Sequence, residues 1–332
     1  MRRSYACCPR RRSRSALCNQ PQQNALPVLV VGVYDVAIIG GGPAGLAAAL
    51  ALGRSRKSVL LVDGGSPRNE RAQYIGGFIT QDRIIPTAFR GTAHDDLRAY
   101  PTIELHLNGI VDSVTRAGSM LTLHVGGVGH AARRLLLATG LIDDPLPLEG
   151  SRDLWGRSLF QCPYCHAYEH RDRKIGFLSP SCDECDWSFL LRSWSRDVTV
   201  FTNGAYTMSA EHRVKLGAAN IAIYEGRVIE LLRNGAQLHA VRTDGATVSC
   251  DALFVRPQQR QVPVVAAMGL AMTADGHVRV DEDFRTSMPG VYAAGDLATH
   301  YHGALAAASA GNQAAHSINY ELTVELVEQG YL

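Results

Sequence analysis

The chain has 332 residues, 46% of them hydrophobic and 19% charged, a composition that suits a globular protein with room for about two domains. Its formal charge of +2 is misleading, because six arginines and no acid fall in residues 1–32, which leaves 27 basic against 31 acidic residues in the remainder. That mildly acidic body argues against a nucleic-acid surface, and no apolar run reaches the ~20 residues that a bilayer-spanning helix needs.

Residues 1–32 read as a disordered basic tail. An export signal is the alternative, but the apolar run Leu26–Val33 flows into the next strand, and cleavage nearby would truncate it. The protein is therefore expected to be cytoplasmic. The cysteine usage agrees with that compartment. Of eight cysteines, three fall in the tail and four form two Cys-x-x-Cys pairs, too sparse for a secreted disulfide framework.

Tyr34–Ile39 is an apolar strand that runs into Gly40-Gly41-Gly42-Pro43-Ala44-Gly45, and an alanine-rich helix follows over Ala44–Leu52. A second strand, Ser58–Val62, ends in Asp63. Strand, G-x-G-x-x-G, helix, strand and acid in this register form a dinucleotide-binding fingerprint. Gly40 permits the tight turn, Gly42 lets backbone approach a pyrophosphate, and Gly45 lets helix pack on strand. The helix N-terminus attracts phosphate, and Asp63 can accept from a ribose hydroxyl. Residues 64–101 read as loop and helix, followed by short strands at Ile103–Leu107, Ile110–Val114 and Leu121–Val125. Arg134–Gly140 is an apolar strand ending in Ala138-Thr139-Gly140, and the prolines at 145 and 147 suit a domain crossing.

Then comes Cys162-Pro163-Tyr164-Cys165-His166. Two cysteines at this spacing in a chain without a secretory framework point to redox chemistry, with one thiol of lowered pKa as nucleophile. His166 offers an adjacent base. A second βαβ unit follows, with strand Lys174–Leu178, a helix over Asp183–Trp194 and strand Val198–Thr202. Its turn, Ser179-Pro180-Ser181-Cys182, has no glycine, and Thr202-Asn203-Gly204 supplies neither a ribose-binding acid nor a basic cluster. This unit has the form of a nucleotide domain without its ligand chemistry. Short strands follow at Ala222–Tyr224, Val228–Leu232, Leu238–Val241 and Ala252–Val255. Gly290–Asp296 then delivers an aspartate from a strand, and the helix Ala304–Tyr320 closes the pattern.

Together these motifs resemble the low-molecular-weight thioredoxin reductase family over roughly residues 34–322. The branch with Cys-Pro-Tyr-Cys-His-Gly-Tyr-Glu, which contains the dithiol oxidases of the gliotoxin and holomycin pathways, is the nearer match. This chain has Ala167 where that motif has glycine. The resemblance implies an α/β protein of two Rossmann-like, three-layer ββα domains, the second inserted in the first. The FAD domain would take 33–150 and 256–325, and the insert 151–255. FAD would be held by Gly40, Gly42, Pro43, Ala44, Gly45, Asp63, Gly64, Asn69, Ala138, Thr139, Gly140, Gly295, Asp296, Ala304 and Leu305. Asp296 would hold the ribityl chain, and the helix from Ala304 would point its N-terminus at the flavin.

The resemblance also implies a homodimer, with Cys162 as interchange thiol and Cys165 against the flavin. A substrate thiolate would attack Cys162 with His166 as base, and the electrons would pass through flavin to oxygen. The substrate would be a small dithiol or a thioredoxin-like protein. The alternatives are a reductase driven by NADPH or ferredoxin, and a non-enzymatic zinc scaffold on C-x₂-C-x₁₆-C-x₂-C. The spacing of Cys162, Cys165 and His166 also fits c-type haem attachment, which would need export. Cys182 and Cys185 read either as a relay dithiol or as thiols filling the vacated turn, and Cys250 as core. His300 and His302 are candidates to steer substrate or oxygen near the flavin.

Overall fold

A computed structural model describes residues 30–331. The basic tail and the export alternative fall on residues 1–29, outside the described residues. The remainder of the expected tail is strand: β1 runs Val30–Ile39, and Val30 pairs with Gly129 across an irregularity at Gly32, whose φ is +82°. The sequence places the start of this strand at Tyr34 because the pairing partner of residues 30–33 lies a hundred residues away.

From β1 the chain passes through α1 (Pro43–Arg54) to β2 (Val59–Asp63), then through α2 (Pro86–Arg98) to β3 (Ile103–Leu107). These strands pair in parallel, Val36 with Val59 and Val59 with Ile103. β4 (Val111–Ala117), β5 (Met120–Val125) and the first half of β6 (Val128–Leu137) form an antiparallel meander. The second half of β6 joins the parallel sheet, with Leu137 beside Ile39 on one side and beside Ala293 of the late strand Val291–Ala293 on the other. The central strands are buried on both faces, so they read as continuous apolar runs. On one face Val36, Ile38, Leu61 and Leu136 meet α1 and the long helix Ala304–Glu328. On the other Ala37, Ile39, Leu60 and Leu135 meet the meander through Leu121 and Leu123. Those are the three layers.

The insert is reached through a two-stranded crossing, where β7 (Ile142–Asp143) pairs antiparallel with residues 259–260 on the return. After α3 (Ser151–Leu154) come β8 (Leu159–Phe160), α4 (Pro163–His166), β9 (Ile175–Leu178), α5 (Ser188–Leu191), β10 (Val198–Phe201), α6 (Ala210–Ala218) and β11 (Ile221–Tyr224). A second meander follows: β12 (Val228–Asn234), β13 (Gln237–Thr243) and β14 (Thr247–Ser249). Then β15 (Ala252–Val255) returns to the parallel sheet, whose order is β11-β10-β9-β15-β8. β16 (Gln259–Arg260), α7 (Pro263–Ala267), β17 (Val291–Ala293) and α8 (Ala304–Glu328) complete the first domain.

One expected element is different. Asp183–Trp194 is a 3₁₀ turn over Asp183–Trp187 followed only by the single turn α5. Its backbone bonds run three residues back, from Cys185 N–H to the Cys182 carbonyl and from Ser193 N–H to that of Leu190. The Ser188 hydroxyl donates to the Cys185 carbonyl at 2.7 Å, which competes with continuation as a regular helix. Among the described residues, no helix is long and apolar enough to cross a membrane.

Candidate functional site

The C-terminal ends of β1, β2, β6 and β17 open onto a cavity of about 780 Å³ that runs from the glycine turn to Cys162 and Cys165. The turn fits a pyrophosphate. A Cβ on Gly40 would strike the Ala138 carbonyl oxygen at 2.3 Å, and one on Gly45 would strike that of Gly40 at 1.9 Å. A Cβ on Gly42 would meet nothing within 4 Å, because that face looks into the cavity. No side chain caps α1, so its first-turn amides remain free for an anion. The N-terminus of α8 is likewise uncapped, after Gly303.

Asp63 is buried at the end of β2. Its Oδ1 accepts from the Gly41 and Gly65 amides at 3.2 and 3.3 Å, and its Oδ2 accepts from Arg90 of α2. A carboxylate has about four acceptor sites, so one remains for a ribose hydroxyl. Asp296 accepts from Arg68 at 2.8 Å through one oxygen. Arg68 also grips Asp143 at 2.6 and 2.7 Å and donates to Gln161 at 2.8 Å. Burial works against its charge, but the Asp143 and Asp296 carboxylates outweigh that and raise its pKa. Arg68 thus ties the loop after β2, the crossing ribbon and the aspartate after β17 into one wall.

The expected residues Gly40, Gly42, Pro43, Ala44, Asp63, Gly64, Asn69, Ala138, Thr139, Gly140, Gly295, Asp296 and Ala304 all line this cavity. Gly45 sits behind the turn, in contact with Gly40. Leu305 lies off the lining and is 46% exposed, because it falls on the solvent side of the first turn of α8. His302 lines the cavity with its Nε2 unpartnered, whereas His300 points away against Tyr301. Burial, then Arg68, lower the pKa of His302. Arg68 and Arg90 are the residues that sequence reasoning missed. The only signal for Arg68 was its place five residues after Asp63, on the loop that follows a ribose-binding strand.

Cys162 and Cys165 are joined as a disulfide, with Cα atoms 5.3 Å apart, and both face the cavity. Cys162 caps α4, accepting the Cys165 N–H on its Sγ at 3.2 Å. Gly76 lies flat against the Cys165 backbone, where a Cβ would meet the carbonyl oxygen at 2.7 Å. His166 stacks on Phe160 with ring centres 4.5 Å apart, and neither of its nitrogens has a protein partner. Burial pushes its pKa down to about 4, so it is neutral over the working range.

The second pair lies elsewhere. Cys182 and Cys185 are free thiols grouped with His212 of α6. A zinc scaffold using all four cysteines is therefore overturned, because the first pair is bonded to itself inside the cavity. Cys250 is buried, as expected of a core thiol. In the glycine-free turn two amides are bonded internally and a third is missing. Ser181 Oγ accepts the Glu184 N–H at 3.2 Å, the Cys182 carbonyl accepts that of Cys185, and Pro180 has none. Asp183, Glu184 and Asp186 add three carboxylates there.

The pyridine nucleotide-disulphide oxidoreductase family model matches residues 34–315. The chain belongs to that family. It is 33% identical over 279 residues to thioredoxin reductase tcpT of Claviceps purpurea, covering 80% of this chain and 86% of the relative. Thioredoxin reductase sirT of Leptosphaeria maculans is 28% identical over 310 residues, 87% of this chain and 94% of that one. Among solved structures, HlmI superposes with a TM-score of 0.83 at 35% identity, over 89% of this chain and 94% of that one. This family member is an enzyme, a thioredoxin reductase-like disulfide oxidoreductase, and such proteins are flavoproteins.

Proposed function

We propose that the chain is an FAD-dependent dithiol oxidase that closes a disulfide in a small substrate and uses oxygen as acceptor. The observation that carries this reading is the contrast between its two nucleotide turns. The first presents free amides over an open glycine, while the second has no glycine, a proline without an N–H and three carboxylates in its first turn. A nicotinamide dinucleotide would lose several charge-assisted bonds there, each worth roughly 1.5–3 kcal/mol.

FAD would be held with its pyrophosphate at the α1 N-terminus, a ribose on Asp63 and its ribityl chain near Asp296. When bound, it supplies a two-electron acceptor for the enzyme dithiol and passes the pair to oxygen as hydrogen peroxide. The protein's own part is thiol exchange. A substrate thiolate attacks the Cys162 sulfur, the Cys162–Cys165 bond breaks, and Cys165 leaves as thiolate. The second substrate thiol attacks its partner sulfur in the mixed disulfide, releasing Cys162 as thiolate and the substrate as a disulfide. His166, neutral and unpartnered beside the pair, takes the proton from an entering thiol, and the new thiolate in turn favours the imidazolium.

Anaerobic stopped-flow with NADPH, NADH and a small dithiol tests the reading, beside oxygen uptake. Dithiol should bleach the flavin quickly and both nucleotides poorly. Fast bleaching by micromolar NADPH would overturn the oxidase in favour of a reductase.

A further inference from the structure

The glycine-free turn gathers three soft donors that the disulfide chemistry does not use. Cys182 opens the 3₁₀ turn, Cys185 is fully buried within it, and His212 reaches over from α6. One ligating atom from each lies within 4.8 Å of the other two. Nδ1 of His212 is 3.3 Å from the Cys182 Sγ. A tetrahedral zinc ion, with bonds of about 2.3 Å to thiolate and about 2.0 Å to imidazole, sets such atoms roughly 3.5–3.8 Å apart. The cluster is within roughly 1 Å of closing around one cation.

The surroundings fit as well. Asp186 Oδ1 lies 3.7 Å from Nε2 of His212 and 4.0 Å from the Cys185 Sγ. A ligating histidine commonly gives its second N–H to a carboxylate, which fixes the ring and its tautomer. Ser209 Oγ, the cap of α6, is 2.8 Å from the same Nδ1 and can yield that lone pair by rotating its hydroxyl. Two thiolates neutralise a dication, which makes the charge tolerable beside the apolar residues of this face.

We propose that Cys182, Cys185 and His212 bind one zinc ion, with water in the fourth place and Asp186 positioning the histidine. The ion pins the vacated turn to α6. The proposal stands apart from the oxidase reading, since it concerns a separate cluster. Binding converts two thiols and Zn²⁺ into a zinc dithiolate and two protons, with no change of oxidation state.

The test uses flavin-loaded, full-length protein purified anaerobically in zinc-replete medium, then desalted and assayed for metal and flavin. Wild type should retain about one zinc per chain and release about two protons on refilling near neutral pH. Cys182→Ser and His212→Ala should each lose at least tenfold in zinc affinity while keeping wild-type flavin content, which controls for folding. Cobalt(II) in place of zinc should give tetrahedral thiolate bands in the red, beyond oxidised flavin. Wild type that retains no zinc, zinc retained equally in both variants, or the two cysteines recovered as a disulfide from anaerobic protein would each overturn the site.

Discussion

Cys162 and Cys165 share a bond but have different surroundings. The Cys162 sulfur faces the amide of Cys165 at 3.2 Å, so a thiolate left there is stabilised by the backbone, as at other helix N-termini. With Cys162 as the attacked sulfur and Cys165 beside the flavin, Cys162→Ser should leave the Cys165 thiolate in contact with oxidised flavin. A broad long-wavelength charge-transfer band is the expected signature, fading as pH falls through that thiol's pKa. Cys165→Ser should lack the band and accumulate a mixed disulfide at Cys162, visible by mass spectrometry. The reverse pattern would exchange the two roles.

His166 carries a second residue-scale prediction. Its folded pKa of about 4 lies below the ordinary value of 6.5. Between those two pH values the unfolded chain binds more protons, so the histidine's neutral burial adds stability above pH 6.5 that is lost as pH falls toward 4. The full effect is on the order of 3 kcal/mol at 1.36 kcal/mol per pH unit. His166→Gln should therefore flatten the fall of the denaturation midpoint between pH 6.5 and 4 relative to wild type. An unchanged slope would place the ring in contact with water.

At the scale of elements, the packing of α8 on α1 is the most demanding contact. A Cβ on Gly311 would lie 2.0 Å from the Ala44 carbonyl oxygen, a backbone atom that cannot swing aside. Helix propensity gains about 1 kcal/mol from glycine to alanine, but overpacking against backbone costs about 1–3 kcal/mol or more. Gly311→Ala should therefore destabilise. It should also loosen the flavin, because Ala44 lines the cavity. Gly91, exposed in α2 with nothing within 4 Å of its Cβ position, is the control, and alanine there should be neutral or slightly stabilising in the same melts.

The elements also differ in how well they could be read from sequence. The β1-α1-β2 unit is legible because its glycines, apolar runs and acid sit within thirty residues and each has a local physical reason. α2 is less so: Phe89, Ala93 and Leu97 recur at helical spacing and pack on the core, but only Pro86 and Leu97 are fully buried, and residues 64–101 read as loop and helix without bounds. Arg90, its contribution to Asp63, goes unseen with it. The join of His212 to the cysteine pair is hidden for a similar reason: α6 buries only Leu216 and is weakly patterned. The irregular turn at 183–187 is not legible in the sequence, because the hydroxyls of Ser181 and Ser188 bond the local backbone there.

For the whole molecule, the cavity joins parts of the chain that are far apart in sequence. The glycine turn and Asp63 come from its start, Cys162 and Cys165 from the insert, and Asp296 and the α8 N-terminus from its end. A ligand that spans them acts as a clasp on the native state and on nothing in the unfolded chain. FAD, the proposed cofactor, would engage both uncapped helix ends and both carboxylates. Stripping it should therefore lower the melting temperature, and restoring it at about 100 times its dissociation constant should return about 2.7 kcal/mol. For a chain of this size that corresponds to a shift on the order of 4 °C. The insert has its own two core clusters, so its transition should move less than that of the first domain. Differential scanning calorimetry resolves the two transitions, and chromatography of the heat-released flavin identifies it. Release of FMN, or a melting curve indifferent to added FAD, would remove the cofactor assignment and the oxidase reading with it.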